Sequence, residues 1–257
     1  MTGAEVTGTV VVTDTVVVTD TVVSPHFDDG VLSAASVLRD AGPTALLLTV
    51  CGGHPAAGGD EEWDRRCGFE SGRAAAEGRA AEDRAAAAMA GSQVVHLPFS
   101  DGPYRSEFPR SAVVAALRPL FRTGSRIWAP AGIGGHPDHV GTRDAVVAAA
   151  RGSGCTLTFY ADCPYAFGTG WDRVDELESL PGHWDHPLAS LAGLIEAGQP
   201  QVVHLDDNAM RAKIAMLRCH ASQLACLAVD HPQLTAWDGP LRQEVFWVAE
   251  PGLCQSR

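Results

Sequence analysis

The stretch "SPHFDDGVLS" places His26, Asp28 and Asp29 within four positions. The β-branched run "TVV" precedes them and a helix-like segment follows, so they stand where a strand ends. A second group, His136, Asp138 and His139, lies in "GGHPDHVG" after another apolar run, "SRIWAP". Imidazole and carboxylate together suit a borderline divalent ion, Zn²⁺ or equally Fe²⁺, Co²⁺, Mn²⁺ or Ni²⁺. Two histidines and one carboxylate leave a coordination position open for water, the pattern of catalytic rather than structural zinc. Each cluster also has a plainer reading. Asp28 or Asp29 would serve as a helix N-cap, and "HPDH" as a polar turn around Pro137. Two such clusters, both after strands, favour the metal.

Elements that alternate along the chain must position these groups. Strands are expected near 21–24, 44–51, 93–99, 125–130, 155–162, 201–205 and 244–250. Helices are expected at 31–43, 71–91, 111–123, 139–151, 187–197 and 207–228, with a Gly-rich loop over 51–68. Such alternation implies an α/β fold: a Rossmann-like, mostly parallel sheet with helices on both faces. Ligands of such sheets bind outside the carboxyl ends of the strands, and both clusters fall there. No composition shift marks a boundary, so a single domain over 15–257 is expected, behind a flexible tail over 1–14 where "TVVVTD" repeats.

With 257 residues the chain can bury a core without disulfides. A net charge of −12 argues against nucleic acid or an anionic membrane as partner. The longest apolar runs are too short to span a bilayer. The start, "MTGAEVTGTV", lacks a basic n-region followed by an apolar h-region, so a cytoplasmic location is expected. Seven cysteines, an odd number without CxxC spacing, are read as reduced thiols.

"SPHFDDGVLS" and "GGHPDHVGTRDAV" resemble the two signature motifs of the PIG-L/LmbE-like N-deacetylases. "GRAAEDRAAAAMAG", "HLPFSDGPYR", "FYADCPYAF" and "KIAMLRCHASQ" are similar to further family segments, and together these cover roughly residues 20–225. The resemblance implies a Rossmann-like fold and a zinc amidase acting on N-acetylglucosaminyl conjugates. It places the metal ligands on His26, Asp29 and His139, and the general base on Asp28. His136 becomes the second catalytic histidine, with Asp138 orienting it. The chemistry suits these types: a divalent ion activates water and polarises a poor electrophile, a carboxylate moves the proton, and an imidazolium stabilises the oxyanion.

Two positions depart from the family pattern. Position 27 is Phe where proline is usual, and position 30 is Gly where glutamate is usual, which removes a possible brace for the site. Arg79 and Asp101 are candidate substrate contacts, with an exposed Arg79–Glu82 pair and an Asx-turn as their plainer readings. His54, Tyr104 and Arg105 are further pocket candidates. His96, His204 and His220 read as structural. Trp63, Trp171 and Trp184 would wall a sugar acceptor, and "HWDH" (183–186) reads as a loop. The expected partner is a small molecule, an amino sugar or glycoconjugate. A non-sugar or thiol-conjugate amide is the alternative substrate, and a binding module without chemistry the alternative class. No GxGxxG follows a predicted strand, which weakens a dinucleotide role.

Overall fold

Short β-branched and leucine runs become the central strands. β1 (Asp20–Ser24) and β2 (Ala45–Thr49) are buried along their whole length, as strands covered on both faces must be. β3 (Gln93–His96), β4 (Arg126–Pro130) and β5 (Thr156–Tyr160) extend them. β6 (Gln201–His204) and β7 (Gln243–Val248) complete a seven-stranded sheet of order β3-β2-β1-β4-β5-β7-β6. β1 to β5 run parallel, and β7 is antiparallel to both β5 and β6. This computed structural model describes residues 17–55, 61–168, 170–171, 174, 184, 189–195 and 200–255. The expected tail lies outside them; of the helix expected at 187–197, the described residues 190–194 form turns and Ile195 an isolated bridge to Ala249, so no helix runs through them.

The helices are α1 (Asp29–Ala41), the short α2 (Glu62–Arg66), α3 (Gly72–Ala90), α4 (Arg110–Leu117), α5 (Pro137–Ala150), α6 (Asp207–Leu217) and α7 (Ala221–Asp230). The chain steps outward through β1, β2 and β3, then returns to β4 and continues to β5. Right-handed crossovers therefore put α1 and α3 on one face and α4 and α5 on the other. α6 packs with α1 and α3, and α4 packs with α5. The reversal falls between β1 and β4, and it opens a crevice at their carboxyl ends. Among the described residues, no helix is long and apolar enough to cross a membrane.

Two further expectations change. The helix expected over 207–228 is broken into α6 and α7, with His220 at φ −84°, ψ 48° between them. The break turns His220 inward to 1% exposure, where its ring faces Asp83 at 3.8 Å. The Gly-rich loop is not all loop, because α2 lies within it. Away from the crevice, fully buried Lys213 on α6 donates to Glu244 on β7 at 2.9 Å. The Ser36 backbone N–H of α1 donates to the same carboxylate at 3.2 Å.

Candidate metal centre

The loop after β1 turns straight into α1. Ser24 Oγ accepts the Gly30 N–H at 2.8 Å and anchors this turn. Asp28 takes the N-cap position without a side-chain cap bond, leaving its carboxylate for the crevice. Asp29 opens the helix. Its Oδ2 accepts the His26 backbone N–H at 2.9 Å and lies 3.0 Å from His26 Nδ1. From the other side of the crevice, His139 on α5 brings Nε2 to 3.2 Å of the same oxygen. The edge of a tetrahedron with zinc bonds of about 2.0–2.1 Å is about 3.3–3.4 Å, close to both separations.

The second imidazole is held from behind. His139 Nδ1 contacts Asp162 Oδ1 at 2.7 Å, and Asp162 Oδ2 accepts the Gly132 and Ile133 N–H groups. This carboxylate–histidine pairing orients metal-bound histidines. His139 is fully buried, and its Nε2 has no hydrogen-bond partner among the described residues. A buried polar atom left in this way costs stability unless something else binds it. The donor set thus fits a divalent ion at His26, Asp29 and His139. The ring nitrogens of His26, His136 and His139 also lie within 4.8 Å of one another, so His136 is near enough to be a fourth ligand or a substrate donor.

The electrostatics point the same way. Burial alone would lower the pKa of both His26 and His139. The Asp101, Asp138 and Asp29 carboxylates instead raise His26 well above its ordinary value, and Asp29 with Asp162 pushes His139 up to about 9. Burial would raise Asp29, but His139 and His26 hold it well below the usual carboxylate range. Such a nest of anions takes up positive charge, a metal ion or failing that protons. Burial and the neighbouring Asp29 push Asp28 up to about 6.

His136 behaves differently. Burial, then the nearby His26 and His139, lower its pKa. The Asp138 backbone N–H donates to His136 Nδ1 at 3.3 Å, which leaves Nε2 as the protonated nitrogen of a neutral ring. The Asp138 carboxylate does not orient His136, as the resemblance implies it should. Its Oδ2 faces His26 Nε2 at 3.1 Å and its Oδ1 pairs with Arg105. His26, Cys51 and Asp138 also converge within 4.8 Å, but the Arg105 guanidinium on that side disfavours a cation there.

A cavity of about 370 Å³ opens over this centre. His26, Asp28, Asp29, Arg79, Asp101 and His136 all line it, while Asp138 and His139 lie buried beneath. Arg79 pairs with Asp64 of α2 at 2.7 Å rather than with Glu82, which accepts from Ser222. Tyr104 donates to the same Asp64 and lines the cavity, as does Trp63. His54 is exposed outside it. Trp171 and Trp184 are core residues, 3% and 0% exposed, whose rings lie 5.9 Å apart, so the expectation that they wall an acceptor fails. His183, Asp185 and His186 lie outside the described residues.

Gly30 explains one departure from the family pattern. A Cβ there would stand 2.8 Å from Leu47 Cδ1 and 3.1 Å from Val22 Cγ1, so a larger residue would have to displace these buried side chains. Asp162 was not singled out from the sequence; an acid closing the strand "FYAD" at the ligand-binding edge was the available signal.

The family described as PIG-L: GlcNAc-PI de-N-acetylase matches residues 21–150, which contain both clusters. No curated protein matches the chain in sequence. Among solved structures, the A40926 pseudoaglycone deacetylase Dbv21 is 28% identical, with TM-score 0.64 over 90% of this chain and 97% of its own. The teicoplanin deacetylase Orf2, solved in a zinc-inhibited form, is 22% identical with TM-score 0.66, over 92% and 98%. N,N′-diacetylchitobiose deacetylase from Pyrococcus horikoshii is 18% identical with TM-score 0.52, over 91% and 84%. The last two share the fold. The family match spans half of the chain, both histidine–aspartate clusters and the crevice between β1 and β4: the chain belongs to the PIG-L family.

Proposed function

We propose that the protein is a divalent-metal hydrolase that removes an N-acyl group, acetyl above all, from an amino sugar in a small-molecule conjugate. The observation that carries this reading is the orphaned His139 Nε2 beside Asp29, at the floor of an open cavity. Zn²⁺ is the expected ion and Fe²⁺ the first substitute. Held by His26, Asp29 and His139, it would supply Lewis acidity to water and to the acyl carbonyl.

The remaining steps belong to the chain's own groups. Asp28 diverges from Asp29 and takes the proton of the attacking water, then delivers it to the departing amine. A pKa raised to about 6 suits both halves of that transfer. His136 donates its Nε2–H to the acyl oxygen as negative charge grows there. Asp138 acts one residue removed, through His26. Asp101 faces the cavity and accepts from a sugar hydroxyl. Arg79, which lines the cavity and is held there by Asp64 at 2.7 Å, donates to another. The compounds for which the similar deacetylases are named, A40926 pseudoaglycone and N,N′-diacetylchitobiose, support an amino-sugar conjugate.

The test pairs metal analysis with amine release from a panel of N-acyl amino sugars, their glycoconjugates and non-sugar amides. The expected result is about one divalent ion per chain and amine release that chelation abolishes and zinc restores. Turnover indifferent to chelation would overturn the metal role. Cleavage of thiol-conjugate or non-sugar amides alone would overturn the substrate class.

A further inference from the structure

The outer nitrogen of His26 faces two carboxylates at once. Asp138 Oδ2 lies 3.1 Å from Nε2 and Asp101 Oδ1 lies 3.3 Å from it. Two acids converging on one imidazole nitrogen repel each other, and the Asp138 side chain is fully buried, so a countercharge is required. Arg105 supplies it. Its Nη2 pairs with Asp138 Oδ1, and its own side chain is only 14% exposed. Three further contacts fix the guanidinium and the loop that carries it. Arg105 Nε donates to the Ser100 carbonyl at 2.8 Å, the guanidinium lies 4.9 Å over the Phe108 ring, and the Gly102 N–H donates to Asp138 Oδ2 at 2.9 Å. A Cβ on Gly102 would stand 3.1 Å from that oxygen, so the loop is seated directly on the carboxylate.

We propose that Arg105 is a positioning residue for the metal centre. Through Asp138 it fixes the His26 ring so that Nδ1 points at Asp29 and His139. A carboxylate held on the outer nitrogen of a ligand histidine sets the ring's orientation and strengthens the inner nitrogen as a donor. Arg105 reaches neither the ion nor the cavity; it acts two residues away from the metal. The proposal rests on the metal centre argued above.

The test measures Zn²⁺ affinity by competition with a chelating chromophore, with no substrate present. R105Q is expected to weaken zinc binding by about 10–100-fold, the range for loss of such an outer partner. Because Asp138 loses its countercharge, the zinc-free variant should melt below the wild type, and affinities are therefore compared at a temperature where both chains are fully folded. R105M, which keeps an apolar stem over Phe108, is the second variant should R105Q fold poorly, and the same loss is expected. In a D138N background, where the link is already cut, adding R105Q should change affinity by less than about threefold. Wild-type affinity in both Arg105 variants would overturn the proposal, and so would an undiminished loss in the D138N background. A wild-type chain that binds no zinc would sink the metal centre and this proposal together, whereas tight wild-type binding with unaffected variants sinks this proposal alone.

Discussion

His136 shows how burial decides a role. Its pKa is lowered first by burial and then by two neighbouring imidazoles, which is why the role proposed for it is that of a neutral donor rather than the imidazolium that the chemistry of the motif suggests. His136→Ala is expected to leave metal content near that of the wild type while lowering kcat by about 10²–10³, the loss of one oxyanion donor. Metal loss equal to that of His139→Ala would make it a ligand, and unchanged turnover would make it a bystander. His139 gives a second expectation. Its folded pKa, about 9, lies above the unfolded value of about 6.5. The stabilisation this brings to the metal-free protein is therefore fully present below about 6.5 and is lost as pH rises towards 9. The melting temperature of the chelated protein should fall across that window, and His139→Asn should flatten the slope. An unchanged slope in that variant would show that the imidazole does not hold its proton as described. Of the eight residues expected as metal ligands, catalytic groups or main substrate contacts, six line one cavity and the other two lie under it, because histidine and aspartate clusters at strand ends are visible as letters. Asp162 was not named from the sequence, and Arg105 was named only as a pocket candidate, whereas it lies off the cavity against Asp138. A lone acid or arginine carries no spacing, and only the folded loop brings it to its partner.

The turn between β1 and α1 is governed by Gly30. Gly30→Ala would press a methyl group against Leu47, Val22 and Ser24, and is expected to cost about 1–3 kcal/mol. For a chain of this size that lowers the melting temperature by roughly 2–4 °C per kcal/mol, with the metal ligands unaltered in type. Stability equal to the wild type would show that Leu47 moves aside freely. Strand and helix positions were legible wherever the hydrophobic period was clean, as in "TALLLTVC" for β2 and the alanine-rich α3. The break between α6 and α7 was not. "LRCHASQ" contains neither glycine nor proline, and the helix stops because His220 gains a buried place beside Asp83 that no local signal announces. α2 was hidden for the opposite reason: glycines on both sides made a short helix read as loop.

Across the whole molecule, the parallel order of β1 to β5 followed from alternation alone, since right-handed crossovers leave few arrangements. The direction and place of β7 did not, because an antiparallel strand inserted between β5 and β6 has the same apolar letters as a parallel one. The thiols test the reading of the chain as reduced. All seven cysteines are free in the structure, although Cys155 and Cys254 bring their sulfurs to 3.6 Å. Thiol titration of the denatured, unreduced protein should find close to seven; a stable value two lower would point to that pair. The position of β7 also bears on the order in which the fold is made. β6 emerges during synthesis about forty residues before β7, its only sheet neighbour among the described residues, and loop closure must precede that pairing. Until Glu244 arrives, the Lys213 ammonium has no counterion at its buried place. The proposed metal ligands and β1 to β5 are made before the last third of the chain, whereas the cavity wall from Gln223, Leu227 and His231 comes after them, so the finished part must tolerate an exposed edge on β5. A chain cut before Gln243 would keep every proposed ligand of the metal centre and still present that edge and the unpaired lysine, the marks by which a folding-surveillance protease recognises unfinished work.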